Sequence, residues 1–309
     1  MSESEFPTQK CDICSKMRPL AKHLFELSQY CLYLGGSASY QSGDGSREVF
    51  PSTIGSWLEL ASQLKNVEIN AWEFSGSDGF YCGTVADYYD RNSKHYSSYS
   101  TDLTRFIFIC NALEETYRFV VGRYETPQFN KKFRLDKKLR GVSLKAAYLV
   151  NQCSKMYVPD QLVHICSNFE KAFSYYRKVF PASLSGMNNV NSTDLNYGLH
   201  LLRNLRNYIA HGVFPLMEHP ENIGSSYLAD GFLEYLLKSG SRTAALYIQM
   251  FLGQFFNGFN SWEYDQVDGA CGEEFDRFLD NCSPTYCRSL HFIQDFEFED
   301  WIGYREDGL

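Results

Sequence analysis

The chain has 309 residues, of which 44% are hydrophobic, 16% aromatic and 21% charged, and its formal net charge is −8. That composition excludes disorder and low-complexity scaffolding as the main state, and the length suits one large domain or two modest ones. An acidic balance also argues against nucleic acid, because phosphate backbones demand Lys and Arg.

Apolar residues recur at helical spacing almost throughout, and strict alternation is scarce. Pro19 and the run LAKHLFELSQYCLYL predict a first helix over about 19–34, with proline near the first turn where its missing donor costs little. The turn-rich segment 35–45 (GGSASYQSGDG) reads as a loop, and Ser52 then caps a second helix to about Lys65. Residues 66–100 are rich in Tyr, Ser and Gly and read as largely irregular, with room for a short β-hairpin near 70–82. Thr101 or Asp102 caps a long helix to about Tyr124, striped by Phe106, Cys110, Leu113, Tyr117 and Val120/Val121. Ser143 caps a helix over 144–156, and Pro159 opens another to about Phe180 whose aromatic stripe (Phe169, Phe173, Tyr176, Phe180) suits a core or a dimer interface. After a polar loop, Ser192 or Thr193 caps the helix LNYGLHLLRNLRNYIAH, which stops at Gly212 with Pro215 beyond it. Two further helices are expected at 226–238 and 242–258. The fold class is therefore all-α, an antiparallel helical bundle, divided into an N-terminal helical extension (1–100), a helical core (101–260) and an acidic C-terminal segment (261–309).

Charge follows that division. Residues 261–309 carry thirteen carboxylates against three arginines, a net of −10, which leaves +2 for residues 1–260. The acidic balance thus marks where the chain is unlike an RNA partner and does not exclude RNA elsewhere. The ten cysteines are too sparse for a disulfide scaffold, and Cys110 and Cys166 sit in apolar helical patterns where a reduced thiol behaves as a small hydrophobe. With an acidic, polar start and no apolar run of the ~20 residues a spanning helix needs, a cytoplasmic protein without a membrane span is expected. Cys11 and Cys14 form a C-x2-C pair with His23 and Cys31 downstream, a weak zinc candidate, and Cys282, Cys287 and His291 form a looser one.

Chemistry concentrates in LLRNLRNYIAHG, where Arg206, Asn207 and His211 follow the order Arg, polar residue, three residues, His. The loose R-x(4–6)-H pattern also matches Arg18 to His23, and about one match is expected by chance; requiring Asn after the arginine lowers that to roughly 0.05. Only the second site survives. It resembles the signature of the HEPN superfamily, helical-bundle endoribonucleases and their inactive relatives. The resemblance implies a HEPN-like core in which Arg206 holds the scissile phosphate, His211 transfers protons and Asn207 orients the site. It further implies metal-independent cleavage by the RNA's 2′-hydroxyl, giving a 2′,3′-cyclic phosphate and a 5′-hydroxyl with no cofactor, and a setting in toxin or anti-phage systems with a regulatory or antitoxin partner. The alternative is a non-catalytic all-α adaptor that binds RNA or protein.

The residue types suit that chemistry, since guanidinium grips phosphate bidentately and imidazole shuttles protons near neutral pH. On an ideal helix, however, five residues turn Arg206 and His211 about 140° apart. Either the last turn before Gly212 unwinds, or a second copy completes the site across a two-fold axis; the composite homodimer is the expectation. Arg203 and Asn204 are secondary candidates. Lys131, Lys132, Arg134, Lys137, Lys138 and Arg140, with Phe133 and Leu135 interleaved and Lys145 following, form the densest basic run and the candidate RNA-binding surface. No phosphate-loop or serine-hydrolase motif is present. Glu114 with Glu115, Glu273 with Glu274 and Asp295 with Glu299 read as solvated carboxylates.

Overall fold

The computed structural model describes residues 11–33, 36–74, 83–124, 139–181, 183–185, 187, 190–212, 214, 231–255 and 287–292. Helical periodicity dominates it as expected. Seven α-helices lie among the described residues: α1 (Leu20–Tyr33), α2 (Pro51–Gln63), α3 (Gly83–Tyr124), α4 (Val142–Val150), α5 (Leu162–Val179), α6 (Tyr197–Ala210) and α7 (Phe232–Phe255). Strands β1 (Ala38–Ser42) and β2 (Gly45–Val49) pair antiparallel, Ala38 opposite Val49 and Ser42 opposite Gly45. The class is all-α with one short hairpin. No helix among the described residues is long and apolar enough to cross a membrane.

The hairpin lies in the segment that reads as a loop, while residues 71–74 form a turn and 75–82 lie outside the described residues. Its two-residue Gly43-Asp44 connection is a hairpin dipeptide; Ala38, Tyr40 and Val49 are buried on one face, from which Arg47 reaches Glu115 of α3, while Ser39 and Glu48 lie on the other.

Helix α3 begins at Gly83, far ahead of the Thr101 or Asp102 cap, and both residues sit inside it. The reason is a helix face that serves backbone instead of core. Ser93, Ser97 and Thr101 hydroxyls accept the N–H groups of Ala71, Ile69 and Val67 at 3.0, 2.9 and 2.8 Å. Four helical residues rise about 6.0 Å and two extended residues about 6.6 Å, so the two periods stay in step. Three other helices start elsewhere than at the expected Ser or Thr caps. Pro51 opens α2 with Ser52 inside it, Ser143 lies inside α4, and α6 starts at Tyr197, not at a Ser192 or Thr193 cap. The helices expected at 226–238 and 242–258 are one, α7, continuous through Gly240, where a Cβ would lie 3.0 Å from the Phe106 ring of α3.

Helix α7 is buried along most of its length against α3 and α5, with α6 and α1 beside it; α1 packs on α2, and α2 on α3. The buried apolar side chains form one cluster from Leu24 to Leu290, and the expected division at residue 100 falls inside α3. The aromatic stripe of α5 is core: Phe169 and Phe173 stack at 5.9 Å, and Tyr176 stacks on Phe214 at 5.3 Å. Burial pushes the thiols of Cys110, Cys153, Cys166 and Cys287 up to about 12, as suits cysteines acting as small hydrophobes.

Part of the acidic C-terminal segment is also packed. Residues 287–292 run against α1 and the start of α5, the Arg18 N–H donating to His291 C=O at 3.2 Å and the Asp160 N–H to Arg288 C=O at 2.9 Å. Beneath them a polar chain crosses the core. Buried Arg18 pairs with buried Glu26 at 2.6 Å, and Arg242 donates to His23 Nδ1 at 2.9 Å and to Arg18 C=O at 2.7 Å. Because Gln249 Oε1 only accepts, His23 donates to it through Nε2 at 2.7 Å and is the neutral ε tautomer. Gln249 Nε2 donates to Cys287 C=O and faces His291 Nδ1 at 3.4 Å, and His291 Nε2 donates to Asp160 C=O at 2.8 Å. Each imidazole in this chain is satisfied only when uncharged.

Candidate functional site

Helix α6 buries Leu199, Leu202, Leu205 and Tyr208 and leaves a polar face outward. Its end is set by Gly212 in the left-handed region at φ 66, whose N–H donates to Ile209 C=O at 3.2 Å, a Schellman-type bond. His211 is the C-cap residue, and its N–H still donates to Asn207 C=O at 2.9 Å. The last turn has therefore not unwound, and the angular separation of about 140° between Arg206 and His211 stands.

Both are exposed, Arg206 with 45% of its side chain accessible. Arg206 Nη1 hydrogen-bonds and ion-pairs with Glu114 Oε1 of α3, fixing the guanidinium on the α3 side of α6. One carboxylate oxygen engages one of five guanidinium donors, so the group retains capacity for an anion. His211 stands on a different face at the helix end. Asn207 is half-buried between them.

The secondary candidates divide. Asn204 is structural: buried, its Oδ1 accepts the Ser185 N–H at 2.8 Å, and its Nδ2 donates to Ser185 C=O at 3.1 Å and to His200 C=O at 2.8 Å. Arg203 is half-buried and close enough to help hold the His200 imidazole below its usual range, after burial, which is the larger cause. Tyr208, inside the motif, is also spent on structure, its hydroxyl donating to Ser183 C=O at 2.9 Å. Of the basic run, Lys131, Lys132, Arg134, Lys137 and Lys138 lie outside the described residues; Arg140 is exposed and Lys145 half-buried. The competing Arg18 to His23 match is no site, since both side chains are buried in the polar chain that crosses the core.

The expected zinc set is corrected. His23 is engaged by Gln249 and Arg242, and Cys31 is buried against Gly55 of α2. Cys287 and His291 of the second set are likewise held in the core. Cys11 and Cys14 instead meet His164 of α5, with all three ligand atoms within 4.8 Å of one another. Spacing in the sequence leaves His164 a lone histidine and Glu114 a solvated carboxylate. Each finds its partner across more than ninety residues, beyond the reach of any local pattern. No protein-family model, curated protein or solved structure matches the chain.

Proposed function

We propose that the protein is a HEPN-like, metal-independent endoribonuclease that works as a homodimer, with Arg206 and His211 of two copies lining one cleft. The observation that carries the reading is the division of labour along α6. Asn204, Leu205 and Tyr208 are consumed by packing, whereas Arg206 and His211 of the same turns stay exposed and Arg206 is held in place by Glu114. The divergence of Arg206 and His211 on an intact helix end favours a site completed by a second copy, because a phosphate gripped by one guanidinium needs its proton donor or acceptor within a few ångströms.

In this mechanism Arg206 binds the scissile phosphate through the donors Glu114 leaves open, and Asn207 hydrogen-bonds the phosphate or sugar. His211 takes the proton of the attacking 2′-hydroxyl or delivers one to the leaving 5′-oxygen, leaving a 2′,3′-cyclic phosphate and a 5′-hydroxyl. Arg140 and the neighbouring basic run track the RNA backbone. A toxin or defence setting, and with it a restraining partner, follows from the resemblance. The test is cleavage of a mixed RNA pool by the full chain, with end-group analysis of the products. Arg206→Ala and His211→Ala should each lower the rate by about 10²–10⁴-fold, and variants that cut as fast as the parent would refute the reading. A second reading, an RNA- or protein-binding adaptor without catalysis, draws on the Arg206–Glu114 ion pair, which partly neutralises the guanidinium. Binding of RNA without cleavage would decide for it.

A further inference from the structure

The segment Cys11-Asp12-Ile13-Cys14 folds into a tight turn in which the Ser15 N–H donates to Cys11 C=O at 2.9 Å and the Met17 N–H to Cys14 C=O at 3.3 Å. The turn presents both sulfurs to the first part of α5. Cys11 Sγ lies 3.1 Å and Cys14 Sγ 3.8 Å from His164 Nε2. A tetrahedral zinc centre with Zn–S of about 2.3 Å and Zn–N of about 2.0–2.1 Å has S···N edges of about 3.5 Å, and the two observed edges bracket that value. Asn168, one helical turn after His164, places its amide 3.1 Å from Nε2 and 3.6 Å from Cys14 Sγ. An amide there reaches the fourth vertex with its oxygen once it turns over, an orientation that exchanges two atoms of similar size. Two thiolates and an imidazole select a soft divalent ion over magnesium or calcium, and the two thiolate charges cancel that of the ion.

We infer that Cys11, Cys14 and His164 bind zinc, with Asn168 at the fourth position, and that the ion staples the N-terminal segment to α5. The chain is anchored from Met17 and Arg18 onward, through the Met17–Phe292 bridge and the buried Arg18–Glu26 pair, and the residues ahead of them have less to hold them. Their short 3-10 turn, Cys14–Lys16, contains no buried residue, so hydrophobic burial does not hold it against a helix about 150 residues further along the chain. The site is structural and independent of the nuclease reading; either stands without the other.

The experiment is elemental analysis of the full chain, purified with its thiols reduced, then stripped with EDTA and reloaded with zinc sulfate. About one zinc per chain is expected, with loss of that zinc in Cys14→Ser and His164→Gln and retention in His164→Cys, which replaces one zinc ligand by another. Cys14 is exposed, so its variant disturbs no packed side chain. EDTA should lower the unfolding temperature of the parent and leave that of His164→Gln unchanged. No zinc uptake by the reduced parent, or parental zinc content in His164→Gln, would overturn the inference.

Discussion

His291 and His23 flank Gln249, and both are held neutral by burial, the largest cause, reinforced by the Arg242 and Arg18 guanidinium groups that face them. His291 is pushed down to about 4 from an ordinary 6.5, and His23 shifts in the same direction. Between those pH values the unfolded chain binds a proton that the folded chain refuses, so stability is complete above pH 6.5 and is lost as pH falls toward 4. At about 1.4 kcal/mol per pH unit, His291 alone withdraws at most about 3 kcal/mol, of which about 2 kcal/mol is lost between pH 7 and pH 5. Glutamine at this position accepts from Gln249 and donates to Asp160 C=O but carries no titrating group. Urea unfolding of the full chain and of His291→Gln at pH 7, 6 and 5 isolates the effect, because carboxylate titrations common to both cancel. The parent's stability advantage over the variant should shrink by about 2 kcal/mol from pH 7 to pH 5. An advantage that stays constant across that interval would refute the assignment of a neutral, buried imidazole.

Four other substitutions separate structural from chemical roles. Asn204→Ala leaves the Ser185 N–H without its acceptor and should cost about 1–3 kcal/mol in urea unfolding, whereas Asn207→Ala should stay within about 0.5 kcal/mol of the parent and instead slow RNA cleavage by about 10-fold. Gly122→Ala places a Cβ 2.5 Å from the Ser39 carbonyl oxygen of β1; thermal unfolding should show a loss of about 1–3 kcal/mol, against the gain of up to about 1 kcal/mol that alanine brings to an open helix position. Glu114→Ala removes a negative charge beside Arg206 and its anchor together, so steady-state kinetics should show a lower KM for RNA and a lower kcat.

Much of the bundle is legible in the sequence because its signal is periodic: the stripes of α1, α5 and α6 face the core as their three- and four-residue steps require. The first half of α3 is not, because Ser93, Ser97 and Thr101 form a helical stripe of hydroxyls, which reads as loop chemistry until the backbone of residues 67–71 is laid beside it. Gly240 reads as a break between two helices, yet it is the residue that lets α7 close on Phe106. The exposed Arg206 and His211 are legible from their spacing and from the stop at Gly212. The structural role of Asn204 is not, since the loop at Ser185 that claims it comes from another part of the chain. The metal candidate is half legible: the C-x2-C pair marks itself, but its third ligand is given only by the docking of α5.

The central claim, a cleft shared by two copies, is tested most directly by mixing subunits. Arg206→Ala and His211→Ala proteins are prepared separately, combined in equal amounts, allowed to exchange subunits and assayed on RNA. About half of the resulting dimers then carry one substitution on each chain. In a composite site built from Arg206 of one protomer and His211 of its partner, each such dimer has one dead site and one intact site. Activity should return to about a quarter of the parental value. A mixture no more active than its two inactive components, with subunit exchange demonstrated, would contradict the shared cleft.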